Sequence, residues 1–336
     1  IIKDLCEVKD MKIISKKRPN DLYEYLRSEW KAYRFDNIAG ALQKYVEITA
    51  SDLVRDVIKH TGINRLVLSG GISMNIKMNK VISEIEGVNE FFVCGSGADE
   101  SLSMGGCYLL NKDQSYKNKK LTNLYLGYDI SDEFYDFDFK PYEEDFHVEY
   151  DVSIKRVALL LTDGDIVAVS RRCAEFGARA LGNRSILANP SIYESVKKIN
   201  EAIKNRDFWM PFALSILSEE AENYIVNPKG FDSPHMTMSF DTKEDNYMKI
   251  KAGTHAYDMT IRPQMVRKET CPHYHELISE FFNITGIPAL LNTSFNLHGK
   301  PIVNDINDAI ETFRNSGLDH LFINDKVLIS KIKKFL

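Results

Sequence analysis

The feature that most constrains the fold is an alternation of helices with short apolar strands, joined by glycine turns. Apolar side chains recur at helical spacing over residues 36–60, and a strand is predicted at 65–69. A helix from about Met74, a strand at 91–94 and a helix from about Asp99 to Leu110 continue the pattern. Such alternation predicts an α/β layer with a largely parallel sheet.

A second α/β pattern follows an acidic segment. Residues 129–151 contain ten acidic residues, a composition typical of a solvated connector or a surface hairpin. Beyond this segment, strands are predicted at 165–170, 236–240, 287–291 and 326–331, and helices at 191–204, 272–284 and 305–316. The predicted organisation is a first domain over 1–125, an acidic linker over 126–150 and a second domain over 151–336.

Composition and charge exclude several classes of function. In 336 residues, 43 Lys and Arg face 48 Asp and Glu, so no global positive field exists and no nucleic-acid partner is expected. The five cysteines are odd in number and have no C-x-x-C spacing, which favours a reducing cytoplasm. Apolar runs are short, and the acidic N-terminus does not resemble a signal peptide. We therefore predict a cytoplasmic protein without a membrane partner.

Two glycine turns in the first half have the character of a nucleotide site. Gly70 and Gly71 lie between a predicted strand and helix, where main-chain N–H groups can approach a ligand closely. A second turn precedes Asp99, and both turns would face one crevice at the carboxyl ends of adjacent strands. The alternatives are a structural tight turn for the glycine pair and helix capping for Asp99 in place of metal binding.

The segment 175–186 is the densest in candidate chemistry. Arg179 and Arg184 lie five residues apart among small residues, and Glu175 is the acidic residue nearby. A guanidinium fork suits phosphate oxygens, and glycine-rich backbone can hold it in place. The alternative is that these arginines pair with carboxylates from elsewhere in the fold.

Three further polar segments complete the pattern. Lys204 and Arg206 end a predicted helix, where the alternative role is interaction with the helix dipole. His255 begins a segment that places Arg262 on the same strand face as Asp258 and Thr260, although a lone His often serves structure.

The polar run from Asn292 to Asn296 follows a predicted strand, where loops carry function and Asx turns are the alternative. Together with the arginines and the lysine, this run predicts a pocket for a polyphosphate such as ATP with Mg²⁺. No Walker A sequence is present, which excludes a P-loop site.

In these motifs the chain resembles the carbamoyltransferase family of nodulation and antibiotic-tailoring enzymes, from about residue 20 to the end. The matching stretches are Glu175 to Ile186, Asn200 to Arg206, Pro211 to Ala213, His255 to Gln264 and Gly286 to Asn296, with Ser69 to Gly71, Asn75, Gly97 to Asp99 and Gly105-Gly106 in the first half. The resemblance implies the second lobe of an actin-like (ASKHA) transferase domain, followed by a YrdC-like α/β domain.

The resemblance also implies a reaction. Carbamoyl phosphate and ATP would form carbamoyl-adenylate in the second domain, and the first domain would transfer the carbamoyl group to a hydroxyl of a small acceptor, such as a sugar or an aminoglycoside. The catalytic residues implied by motif position are Arg179, Arg184, Lys204 and Arg206. Those implied for substrate or nucleotide binding are Gly70, Gly71, Asn75, Ser185, His255, Arg262, Asn292, Ser294 and Asn296.

The family's metal site is only partly represented. Asp99 matches its carboxylate ligand, and the expected metal is a divalent ion, Fe²⁺, when the first lobe is present. The pair of histidines that the family supplies from an H-x-x-x-H helix has no counterpart, since the first His is His60. Because the chain also begins at Ile1, we expect a fragment of a longer protein or one subunit of a split one.

Two other functions share these features. A tRNA threonylcarbamoyl enzyme would use both domain types, although the mild acidity argues against tRNA. A non-catalytic nucleotide-binding scaffold is the other, because Met210 replaces an arginine of the family and the first lobe is missing. A homodimer is also left open by the sequence.

Overall fold

The computed structural model describes residues 5–113, 121–204 and 210–332. The chain divides into two compact units, Ile1–Ser101 and Leu102–Leu336. Within the described ranges, none of the helices combines the length and the apolar character needed to cross a bilayer.

The first unit contains a hairpin, helices and a two-stranded sheet. Its elements are β1 (Cys6–Lys9), β2 (Lys12–Ser15), α1 (Leu22–Trp30), α2 (Phe35–Thr61), β3 (Arg65–Leu68), α3 (Ile76–Ser83) and β4 (Glu90–Val93). β3 and β4 pair in parallel, as the alternation predicts, and α2 contacts α3. α2 ends at Gly62, whose φ of 70° is the left-handed conformation in which glycine commonly ends helices.

The following elements run from the unit boundary to the end of the described chain: α4 (Ser101–Asp113), α5 (Ser131–Asp136), β5 (Phe146–Glu149), α6 (Ile154–Thr162), β6 (Val167–Ser170), β7 (Arg184–Ala188), α7 (Glu194–Ile199), β8 (Ala213–Leu217), β9 (Ile225–Val226), β10 (Phe240–Thr242), α8 (Tyr247–Ile250), β11 (Thr260–Ile261), β12 (Pro263–Val266), α9 (Pro272–Thr285), β13 (Ala289–Ser294), α10 (Ile306–Arg314), β14 (His320–Ile323) and β15 (Val327–Lys331).

An eight-stranded mixed sheet organises the second unit, with strand order β12-β8-β13-β7-β6-β14-β15-β5. β12 is parallel to β8 and β14 to β6, whereas the other neighbours are antiparallel. α6 and α9 pack against each other, and both bury an apolar face. The α/β class is therefore confirmed, with a mixed sheet in this unit.

The acidic segment 126–150 is part of this sheet unit, which corrects its description as a linker. It contains α5, and its β5 pairs antiparallel with β15 at the sheet edge. Ile130, Phe139 and Phe146 are buried, while the acidic side chains occupy the more exposed positions between them. The segment thus supplies an edge strand with one apolar face and one solvated face.

Most other predicted elements agree with the structure to within a few residues. The strand predicted at 236–240 is an exception, because β10 begins only at Phe240. The helix predicted at 191–204 is α7 followed by a π-helical turn over Asn200–Lys204. The polar run that begins at Asn292, predicted as a loop, starts inside β13 because that strand extends to Ser294.

Candidate functional site

One face of the large sheet carries a set of polar side chains. Ser215 on β8 pairs with Gln264 on β12, and Ser294 on β13 pairs with Ser185 on β7. Asn292 lies two residues before Ser294, and alternate strand residues share a face. The register of β13 with β8 places Asn292 on the same face as Ser215. Four adjacent strands therefore point polar side chains to one side of the sheet.

Hydrogen bonds join three of these side chains to the arginine-containing motif. Asn292 Nδ2 donates to Ser215 Oγ at 2.9 Å, and that hydroxyl donates to Gln264 Oε1 at 2.8 Å. Asn292 Nδ2 also donates to the Ala180 carbonyl at 3.1 Å, and Gln264 Nε2 donates to the Leu181 carbonyl at 2.8 Å. The buried network thus fastens the turn 180–184 to the sheet.

The backbone of this turn requires glycine at its centre. Gly182 has a φ of 114°, and a Cβ at this position would overlap the ring of Tyr274. Ser185 Oγ accepts the Gly182 N–H at 3.0 Å, and Ser185 is fully buried. The Ser185 hydroxyl therefore stabilises the turn through this hydrogen bond.

Lys204 approaches the same strand face from the end of the π-helical turn. Its side chain is buried, and Nζ donates to Ser294 Oγ at 3.0 Å and to Asn296 Oδ1 at 2.6 Å. Ser294 Oγ in turn donates to Asn296 Oδ1 at 2.7 Å. His298 Nδ1 contacts the Lys204 carbonyl at 2.8 Å. The structure thus brings three predicted site residues together, while Arg206 lies outside the described residues.

Arg184 occupies a different environment from the one predicted. It is fully buried and begins β7, so its side chain points away from the face that carries Ser185. Its guanidinium donates to the carbonyls of Tyr128, Arg171, Arg172, Asn183 and Asn304, at 2.5–3.2 Å. Burial lowers the pKa of Arg184, and Glu175 is the first of the nearby groups that oppose this shift. Because all its donors contact protein carbonyls, the predicted phosphate clamp is corrected to a structural role.

The other two predicted arginines are partly buried. Arg179 lies one residue before Ala180, whose carbonyl accepts a hydrogen bond from Asn292 Nδ2. Arg262 lies between β11 and β12, which belong to different sheets, and two residues before Gln264.

His255 forms a local cluster with Asp258. Its Nδ1 is 2.9 Å from Asp258 Oδ1, which also accepts the Thr260 hydroxyl at 2.7 Å. The segment is a tight turn rather than a strand up to Thr260, and Met259 has a φ of 55°. The predicted shared strand face is therefore wrong for Asp258, but the turn brings His255, Asp258 and Thr260 into direct contact.

The predicted nucleotide residues of the first unit form a strand-to-helix turn. Gly70 has a φ of 95°, which suits glycine, and Gly71 begins a 3₁₀ turn. Asn75 caps α3, since its Oδ1 accepts the Met78 N–H at 3.0 Å, and its Nδ2 donates to Gln43 Oε1 at 2.8 Å. Asn75 is thus engaged in capping in this structure.

Asp99 is exposed and lies between β4 and α4. The described ranges contain no group of three or more His, Cys, Asp or Glu side chains arranged to hold a metal ion. By itself, one exposed carboxylate supplies too few ligands for a divalent metal, so a metal at Asp99 stays a prediction.

Several residues of the site were not predicted individually. The residues that contact the turn 180–184 or its hydrogen-bond network without having been predicted individually are Glu175, Ser215, Gln264 and Tyr125. The Tyr125 hydroxyl donates to the Leu181 carbonyl at 2.8 Å. The available signal was polar residues inside strands that are otherwise buried, such as Ser215 within Ala213–Leu217. Buried polar side chains need partners, so each of them marks a contact to find.

Family models and known proteins match most of the chain. The model described as carbamoyltransferase C-terminus matches residues 158–331, and the one described as carbamoyltransferase N-terminus matches residues 4–107. An uncharacterised protein of Methanocaldococcus jannaschii is 34% identical over 303 residues, which cover 88% of this chain and 56% of that protein. Nodulation protein NolNO of Sinorhizobium fredii is 31% identical over 303 residues, covering 87% of this chain and 44% of that protein. The chain spans about half the length of these relatives.

Among solved structures, full-length HypF in its phosphate- and nucleotide-bound form aligns with a TM-score of 0.36 and 19% identity. The alignment covers 55% of this chain and 26% of HypF.

Proposed function

Because the chain belongs to the carbamoyltransferase family, we propose that its second unit forms carbamoyl-adenylate from carbamoyl phosphate and ATP. We propose that the YrdC-like domain, predicted for residues 151–336, also includes the edge strand β5, and that the first unit belongs to the second actin-like lobe predicted for residues 1–125. The whole protein would then transfer the carbamoyl group to a hydroxyl of a small acceptor, such as a sugar or an aminoglycoside. In that transfer site, Gly70, Gly71 and Asn75 would hold the adenosine.

The observation that supports this proposal is that two predicted site segments, the turn after Arg179 and the helix end at Lys204, both contact one face of β13. Asn292 holds the turn that follows Arg179, and Ser294, two residues later, contacts Lys204 Nζ. Two strand residues span roughly 7 Å. We infer that the guanidinium of Arg179, the residue just before this turn, and the buried Lys204 ammonium lie close enough to act on one polyphosphate.

The proposed chemistry needs positive charge and alignment. Water would release phosphate from carbamoyl phosphate and leave carbamate. A carbamate oxygen would then attack the α-phosphorus of ATP, and the bond to the bridging oxygen of the β-phosphate would break, releasing pyrophosphate. Lys204 and Arg179 would offset the phosphate charge, and Arg262 and His255 would contribute further ligand contacts. The rigid turn and the strand would orient the reacting groups.

Pyrophosphate release from ATP, Mg²⁺ and carbamoyl phosphate tests the proposal. We expect Lys204→Met to lower this rate about 100-fold or more, because it removes a fixed charge from the reacting phosphates. The matched control is Lys197→Met, since Lys197 is an exposed lysine on α7, 3.6 Å from Glu201. A folded wild-type chain that releases no pyrophosphate, or a Lys204→Met variant as active as wild type, contradicts the proposal.

A further inference from the structure

A single carboxylate oxygen holds the turn 180–184 from within the motif. Glu175 Oε1 accepts the main-chain N–H groups of Leu181 at 2.6 Å, Asn183 at 2.8 Å and Arg184 at 3.3 Å. These donors lie six, eight and nine residues further along the chain. The carboxylate therefore joins the start of the loop 175–184, which contains Arg179, to its last residues.

Other hydrogen bonds also hold Leu181 and Asn183 in place. The Leu181 carbonyl accepts from Gln264 Nε2 and from the Tyr125 hydroxyl, each at 2.8 Å. Asn183 Nδ2 donates to the Cys173 carbonyl at 2.8 Å. With the Glu175 carboxylate on the N–H side, Leu181 is held at both its donor and its acceptor.

We propose that Glu175 is a positioning residue of the adenylate-forming site, which acts through Arg179. It anchors Leu181, two residues after Arg179, and so fixes the direction in which the Arg179 side chain leaves the backbone. This inference rests on the proposed function of the site.

The charge of Glu175 matters as well as its shape. Hydrogen bonds to an ionised acceptor are roughly twice as strong as those between neutral groups. An amide oxygen at the same position would still accept N–H groups, but more weakly. An alanine would leave three main-chain donors without their acceptor, at a cost for each. Glu175→Gln should therefore loosen the turn, and Glu175→Ala should release it.

Steady-state pyrophosphate release measures the effect. We expect Glu175→Gln to raise the KM for ATP about tenfold with a smaller change in kcat, because the anchored arginine contributes to ground-state binding. Glu175→Ala should raise that KM further. Ile310→Ala is the stability control, since Ile310 is a buried residue on α10 outside the site, and it should leave KM unchanged.

The double variant separates positioning from general stability. If Glu175 acts through Arg179, adding Glu175→Gln to Arg179→Ala should cause no further rise in KM, because the two losses share one interaction. Independent, multiplicative losses would overturn the proposal. A wild-type KM in Glu175→Gln would overturn it as well.

Hydrogen exchange and ATP binding keep this test separate from the proposed reaction. The amides of Leu181 and Asn183 should exchange slowly in the wild type and faster in Glu175→Gln, and unchanged protection would contradict the anchoring. If the wild type binds ATP without releasing pyrophosphate, the proposed reaction fails. The ATP affinities of wild type and Glu175→Gln then decide the positioning role, and equal affinities reject it. A folded wild type that does not bind ATP rejects both.

Discussion

At the scale of single residues, Arg184 shows that a motif arginine can serve the fold. A buried charge is costly unless it is hydrogen-bonded and balanced. Each guanidinium nitrogen of Arg184 donates to a main-chain carbonyl, and the nearby Glu175 carboxylate opposes the effect of burial on the pKa of Arg184. It holds together loops that are distant in sequence, from Tyr128 to Asn304.

Arg184→Met should therefore destabilise the protein rather than only weaken ligand binding. We expect the free energy of unfolding to fall by about 3–5 kcal/mol, because five main-chain carbonyls lose a buried, charged donor. Urea denaturation measures this change. The comparison is Arg27→Met, which removes an exposed ion pair with Glu24 on α1 and should cost about 0–1 kcal/mol. Equal midpoints for Arg184→Met and wild type would contradict the structural role.

At the scale of elements, β5 shows how an acidic segment can be part of a core. Its Phe146 is 6% exposed and its ring centroid lies 5.4 Å from that of Phe313 on α10. Arg314 stacks over the Phe146 ring at 5.7 Å and also pairs with Asp145. The acidic residues around Phe146 lie on the solvated side of the segment. The net charge of the segment therefore does not indicate that it contains a strand with a buried residue.

Phe146→Ala should cost about 3–5 kcal/mol of stability, because it removes a large buried ring from an edge strand. Tyr135→Ala lies in the same segment, and its ring is 75% exposed, so little change is expected there. Thermal or urea unfolding of the two variants compares them directly. If both variants unfold like wild type, the segment does not contribute to the core.

At the scale of the whole molecule, sheet order decides which segments meet. β8, β13 and β7 are adjacent in the sheet although long stretches of chain separate them. The same packing buries titratable groups, so that stability depends on pH. Burial lowers the pKa of His235 from 6.5 to about 4, and burial also lowers the pKa of His273.

The free energy of unfolding should therefore decrease as pH falls below about 6.5. The unfolded chain binds a proton at His235 in this range, whereas the folded chain does so only near pH 4. The difference between the two pKa values corresponds to about 3 kcal/mol of stability. This stability is fully present above pH 6.5 and is lost as the pH falls from 6.5 to about 4. His235→Gln should flatten this part of the pH profile, and His147→Gln, on an exposed side chain, should not. Parallel profiles for His235→Gln and wild type would contradict the assignment.

Much of the local structure was determined by sequence. Helical spacing over residues 36–60 predicts α2, and the strand–glycine–helix alternation predicts the parallel pair β3 and β4. These features depend on neighbours within a few residues, whose periodicity is visible in the chain itself. The motif blocks likewise identified the family and drew attention to Lys204, Ser294 and Asn296.

Only the tertiary structure decided how equivalent-looking residues are used. Arg179 and Arg184 read alike in sequence, but β7 begins at Arg184 and turns its side chain to the other face of the sheet. In sequence, Glu175 is the acidic residue near the two arginines, yet its Oε1 accepts main-chain N–H groups of the turn. Such roles depend on strand register and on burial, which bring together groups more than a hundred residues apart, as with Ala180 and Asn292. Local sequence does not predict such long-range contacts, because they form only when the sheet assembles.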